Sequence, residues 1–142
     1  MLMLSWPLWA ALSAAFAALT AIFARVGLRD VPSDYATFLR TLVILPFLAL
    51  MVSLRGQWQP LSTIPGKAGL FLVLSGLATG ASWLCYFRAL SLGPAAQVAS
   101  IDKMSVVLVA VFAALFLGEA LSARAWAGVA LIVIGVLIVS HR

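Results

Sequence analysis

The sequence predicts an all-α integral membrane protein with five transmembrane helices. Three observations carry the prediction. Hydrophobic residues make up 65% of the chain and charged ones only 9%, against roughly 25% charged in an ordinary soluble domain. Apolar windows of about 20 residues, the length that crosses a hydrocarbon core, recur along the whole chain. The segments between them, RVGLRDVPSD, RGQWQPLSTIPGK, SLGP and GEALS, collect the turn formers and most of the charges. The 142 residues therefore divide into five spans with short loops, as one membrane domain covering residues 1–142.

Span 1 is Trp6–Ala24, lined with small residues: Ala10, Ser13, Ala14, Ala17, Ala18 and Ala21. Its leader MLMLSWP holds no Lys or Arg, and the apolar run is too long for a cleaved signal peptide. Span 2 is Tyr35–Leu54, with Pro46 expected to kink it. Span 3 is Gly69–Leu90, where Gly76 and Gly80 form a small-xxx-small face suited to close helix contact. Span 4 is Ala95–Leu117. At about 100° per residue, its alanines, Asp102 and Lys103 fall on one stripe, and Ile101, Met104, Leu108, Val111, Phe112 and Leu115 on the other. Bulky aliphatics toward lipid, with small and charged residues toward protein, is the orientation lipid favours. Span 5 is Ala123–Ser140, with Gly128 and Gly135 on one face.

Composition also excludes. One cysteine, Cys85, forms no intramolecular disulfide, and one histidine, His141, builds no metal cluster or nucleophilic triad. No metal, cofactor or enzymatic chemistry is expected. Nine basic residues, spread over loops, tails and spans, do not form a nucleic-acid patch. They bear on topology instead, because Lys and Arg favour the cytoplasm. Arg25, Arg29, Arg88 and Arg142 fall on one side; Arg55, Lys67 and Arg124 fall on the other. This near-tie leaves two readings open: a chain with few charges, or a chain that inserts both ways round so that two copies meet antiparallel, as in inverted-repeat transporters.

The remaining basic residues, Arg40 and Lys103, lie inside spans, as does Asp102. An isolated intramembrane charge costs several kcal/mol on insertion scales. Adjacent residues point about 100° apart, so Asp102 and Lys103 satisfy each other poorly along one helix. Counting 1.5 Å per residue puts Asp102 roughly 10 Å and Arg40 roughly 8 Å below the same membrane face. Arg88 approaches that layer from above. One reading is a structural Arg40–Asp102 pair with Lys103 and Arg88 snorkelling to the surface. The other is a solute or coupling site of Arg40, Asp102, Lys103 and Arg88, with Trp83, Tyr86 and Phe87 lining it. Tyr86 and Phe87 also suit an interfacial aromatic belt. Glu119 ends span 4, where the helix dipole disfavours an anion, so a boundary role near Arg124 is expected for it.

The run YFRALSLGPAAQVASIDKMSVVLVAVFAALFLGEALS resembles the second half of an EamA domain. An aromatic-AL-x-x-G turn is followed twenty-odd residues later by LFLGE, and TFLR in span 2 puts Arg40 where that family has an arginine. The resemblance covers the whole chain. It is to the short five-span bacterial and archaeal branch of the drug/metabolite transporter superfamily, in which the IDK-S pattern also occurs. It implies half of an inverted-repeat transporter in the cytoplasmic (inner) membrane. A multi-pass carrier or exporter of a small metabolite would then form as an antiparallel homodimer or as a heterodimer with a second five-span unit. The alternative is a non-transporting accessory subunit, including one that helps a partner flip a lipid-linked carrier.

Overall fold

The computed structural model describes residues 5–141; residues 1–4 of the leader and Arg142, both used in the sequence argument, lie outside them. The described residues form helices and connecting turns, with no strand among them. Six helices follow in order: α1 Trp6–Gly27, α2 Ser33–Leu54, α3 Gly66–Leu92, α4 Ala95–Asp102, α5 Met104–Phe116 and α6 Ala123–Ser140. A single 3₁₀ turn, Leu61–Thr63, lies between α2 and α3. Five segments are long and apolar enough to cross a membrane, with α4 and α5 together making one of them, Ala95–Phe116. The fivefold span pattern and the all-α class therefore hold.

The helix ends follow from local chemistry. Pro32, Pro65 and Pro94 each precede a helix and lend it their carbonyl, to Ala36, Gly69 and Val98 at 2.9–3.0 Å. A proline there loses nothing, since the first N–H groups of a helix have no internal acceptor. At the other end, α2 closes on Gly56 at φ 61°, with Gln57 N–H donating to Val52 and Gly56 N–H to Ser53. That is the Schellman pattern. The LFLGE run ends α5 similarly: Gly118 sits at φ 66°, and Glu119 N–H donates back to the Ala113 carbonyl at 3.2 Å. Ser122 then caps α6, its hydroxyl accepting from Ala125 N–H at 3.2 Å.

A prediction arises at Gly118. A methyl group placed there meets nothing within 4 Å, so any cost of substitution is conformational. Gly118→Val is expected to destabilise by about 1–2 kcal/mol, the penalty of a left-handed backbone for a residue with a branched Cβ. Gly118→Asn should cost markedly less, because asparagine tolerates that region. Thermal unfolding in detergent reads both. Equal losses for Val and Asn would show that the turn is not what constrains this position.

The predicted fourth span is broken. Lys103 stands between α4 and α5 at φ −66°, ψ −10°, and its N–H bonds to the Ser100 carbonyl three residues back at 3.1 Å. Val106 N–H repeats that three-residue step onto Lys103 at 3.0 Å, so the ladder tightens locally to 3₁₀ geometry. Ser100 contributes by returning its hydroxyl to the Ala96 carbonyl at 2.8 Å, a back-bond that bends helices. At Pro46, by contrast, α2 runs on uninterrupted.

The chain divides into two compact units: Met1–Ile22 with Leu92–Arg142, and Phe23–Ser91. In the first, α6 packs along both α4 and α5, and Ala21, Ala113 and Val136 are buried. Along the fourth span Ala113 is buried and Ala95, Ala99, Ala110 and Ala114 are half-buried, but Ala96, Asp102 and Lys103 of the same stripe are exposed; on the bulky stripe Ile101, Leu108, Phe112 and Leu115 are exposed and Met104 and Val111 half-buried. In the second unit the buried residues are Leu28, Ser33, Thr37, Phe87 and Leu90. Thr37 is tolerated there because its hydroxyl donates to the Ser33 carbonyl at 2.9 Å, meeting the demand that polar groups in lipid be satisfied internally. Only 6% of each span's apolar window is buried within the chain.

Candidate functional site

Within the second unit, α2 and α3 are joined through Arg40. It lies seven residues into α2, roughly 10 Å along the helix. Its guanidinium carbon sits 4.4 Å from the centroid of the Trp83 ring and 5.0 Å from that of Phe87. Trp83, Phe87 and Leu90 recur at steps of four and three along α3, so they share one helical face. Phe87 and Leu90 are buried and Trp83 and Arg40 half-buried. Tyr86 adds an edge-to-face contact to Phe87, with centroids 6.3 Å apart. Phe87 is thus the buried floor beneath a cation and does not belong to a lipid-facing belt. Cation–π attraction strengthens as the pair loses water, from about 0.5–1 kcal/mol at exposed sites to about 2 or more. That offsets part of the cost of an arginine in an apolar span. Within this unit the described residues give the Arg40 guanidinium no hydrogen bond and no ion pair.

Arg25 has a role that sequence reasoning missed. Counted there as a loop charge, it donates from the end of α1 to the Leu90 carbonyl. That carbonyl belongs to the last turn of α3, where no intrahelical donor remains, and the Leu90 side chain is fully buried. No spacing signal in the sequence marks this contact. The Trp83–Phe87–Leu90 stripe was missed as well, although its i, i+4, i+7 spacing is a signal the sequence carries.

Arg88 does not join this cluster. It lies about 140° around α3 from Trp83 by helical geometry and is exposed. Cys85 is likewise exposed and free, a surface residue and not an internal filler.

Asp102 and Lys103 belong to the first unit, and here the structure corrects two expectations. The pair does meet: Lys103 Nζ lies 3.9 Å from Asp102 Oδ2. A continuous helix would hold adjacent side chains about 100° apart, but the break at Lys103 lets them turn toward each other. Nor does their own unit enclose them: their side chains are 42% and 57% exposed respectively. They sit at the facing ends of two half-helices, where backbone dipoles terminate at membrane depth.

Glu119 is exposed beyond the Gly118 turn. Its contribution is the backbone closure of α5, and among the described residues no ion pair joins it to Arg124. Gly76, Gly80, Gly128 and Gly135 each have open space where a side chain would begin, so their small faces serve no close contact within their own unit. No group of three or more His, Cys, Asp or Glu side chains among the described residues is placed to hold a metal ion. A shallow depression of about 410 Å³ near the end of α6 is lined by Ile134, Leu137, Ile138 and His141, and presents no charge pair or aromatic stack.

No solved structure matches this chain significantly. A protein of a Sinorhizobium species, described as an uncharacterized transporter in the cobO 3' region, is 60% identical over 136 residues, covering 96% of each chain. The model of the EamA-like transporter family matches residues 4–141. With that match over nearly its whole length and five membrane-spanning segments beneath it, the chain belongs to the EamA-like transporter family.

Proposed function

We propose that this protein is a secondary carrier that exports a small metabolite across the cytoplasmic membrane, each chain supplying one five-helix domain of an antiparallel homodimer. The observation that carries the reading is Arg40, a cation held inside a span on Trp83 and Phe87 with no acidic partner within its own unit. Ionisable groups at that depth mark substrate or ion pathways. Arg40 and Trp83 are the candidates for solute contact, and Asp102 with Lys103 for coupling to an ion or proton gradient. Arg88, exposed on another face, is the weakest of the solute-site candidates. Broken helices with charges at the break are where transporters of this general kind hold coupling ions.

Pairing is supported by how little of each span the chain covers, by the open glycine faces and by the near-even Lys/Arg count on the two sides. The same uncovered faces would accept a different five-span unit, which favours an accessory or heterodimeric role as the second reading. Purified chain reconstituted alone in vesicles loaded with a cell metabolite extract distinguishes the two, with efflux read by mass spectrometry. Efflux of a solute by the chain alone supports the carrier; none with this chain and efflux only after a second unit is added supports the accessory role.

Asp102→Asn is expected to abolish gradient-driven efflux while leaving membrane abundance near wild type. An amide keeps the size and loses the titrating charge, and the exposure of this side chain makes a large folding penalty unnecessary. Loss of the protein from the membrane in that variant would assign Asp102 to structure.

A further inference from the structure

We infer that the Arg40–Trp83–Phe87 cluster binds the carboxylate of a monoanionic organic solute with an apolar, ring-compatible body. The inference rests on the carrier reading for its purpose, though not for its geometry. Two ring systems lie against the guanidinium at 4.4 and 5.0 Å. A guanidinium has five N–H donors, and within this unit none makes a hydrogen bond or ion pair to a described residue. A planar fork matches a carboxylate through two parallel charge-assisted hydrogen bonds.

Charge sets the valence. Arg25 is drawn to the Leu90 carbonyl, to which it donates one hydrogen bond, and Arg88 lies on another face of α3. One cation facing one anion leaves no net charge in an apolar layer, whereas a dianion would leave one uncompensated. The surroundings set the body. Trp83 stays half exposed beside the guanidinium and Tyr86 flanks Phe87, so a solute anchored at Arg40 lays its remainder against aromatic rings. Sites of this composition hold amphiphilic small molecules, with few polar groups for orientation and apolar walls for area.

The probes are phenylacetate and its neutral isostere phenylacetamide, bound by equilibrium dialysis to the full chain in phosphatidylcholine nanodiscs. Saturable binding of the carboxylate, with the amide weaker on the order of ten- to a hundredfold, is expected from loss of the charge-assisted pair. Arg40→Gln should erase that preference, Arg40→Lys should keep part of it, and Arg55→Gln at the opposite end of α2 should not alter it. Equal binding of both probes, or a preference that survives Arg40→Gln, overturns the inference; the wild-type comparison stands even if a variant folds poorly. The anion could also be a lipid headgroup. If phosphatidylglycerol in the nanodisc displaces phenylacetate and copurifies with wild type but not Arg40→Gln, the site is a lipid site and the solute inference falls. Carboxylate binding without counterflow in vesicles upholds the site and sinks the carrier reading. Efflux of neutral or cationic solutes that is indifferent to Arg40 does the reverse.

Discussion

Arg40→Met is expected to abolish efflux while leaving the protein in the membrane at wild-type abundance or above. Each half of that expectation has its own physical basis. An arginine inside a span costs several kcal/mol on insertion scales, and its contact with Trp83 and Phe87 offsets only part of that, on the order of 2 kcal/mol by ordinary cation–π magnitudes. Methionine is unbranched and polarizable, fills the same length, and keeps favourable contact with aromatic rings. Replacing a poorly compensated charge by an apolar side chain of similar volume is neutral or stabilising in many proteins. Function should respond in the opposite sense. If Arg40 neutralises the solute, its loss removes charge-assisted hydrogen bonds worth about 1.5–3 kcal/mol each, and efflux should drop roughly a hundredfold. Abundance is read from a C-terminal fluorescent fusion and efflux from loaded vesicles at matched protein. A variant that disappears from the membrane would make Arg40 a structural staple between α2 and α3.

Leu90→Ala is expected to give the largest stability loss of any single aliphatic truncation among the described residues. Leu90 is the one large side chain among them that is completely buried, at the point where Arg25 crosses from α1 to cap α3. In water such a truncation costs about 2–5 kcal/mol, part of it the lost transfer of methylene groups out of solvent. In a bilayer that transfer part is absent, since lipid is as apolar as leucine and helices associate through packing. The expected cost is therefore about 1–2 kcal/mol, the cavity portion, read as a shift of the unfolding midpoint in mixed micelles. Leu92, two residues on and 75% exposed, should tolerate alanine with no measurable change. Equal sensitivity at both positions would mean that Leu92 is covered by something other than this chain.

The span architecture was legible because a membrane imposes it directly. Backbone groups in hydrocarbon must pair internally, so length and apolarity alone identify helices. Boundaries shifted by one to three residues: Gly27 and Leu92 extend α1 and α3 beyond the predicted ends, Ser33 and Gly66 begin α2 and α3 earlier, and α5 stops at Phe116, one residue short of the predicted Leu117. The break at Lys103 was less legible. Hydropathy carries straight through it, and the signal lay in competition for the backbone by Ser100 together with two adjacent charges. A helical wheel assumes the continuous helix that this competition undoes, which is why it gave Asp102 and Lys103 no mutual contact.

Arg40 shows a different limit. Its depth was calculable from the sequence, and Trp83 and Phe87 were recognisable as neighbours in depth. The choice between a carboxylate and a ring as its partner was not. Charge counting points to the carboxylate, while within its own unit Arg40 meets the rings, because α3 turns Trp83, Phe87 and Leu90 to one side. Arg25 was invisible for a related reason: its acceptor is a backbone carbonyl, which every residue has.

The central proposal is a carrier made from two copies of this chain inserted in opposite directions. A reporter pair on the C-terminus, one part active only in the cytoplasm and the other only outside, tests that most directly. Comparable signal from both reporters at equal expression is the predicted result. Signal from one side alone contradicts the antiparallel homodimer and transfers the uncovered faces to a different, oppositely oriented partner.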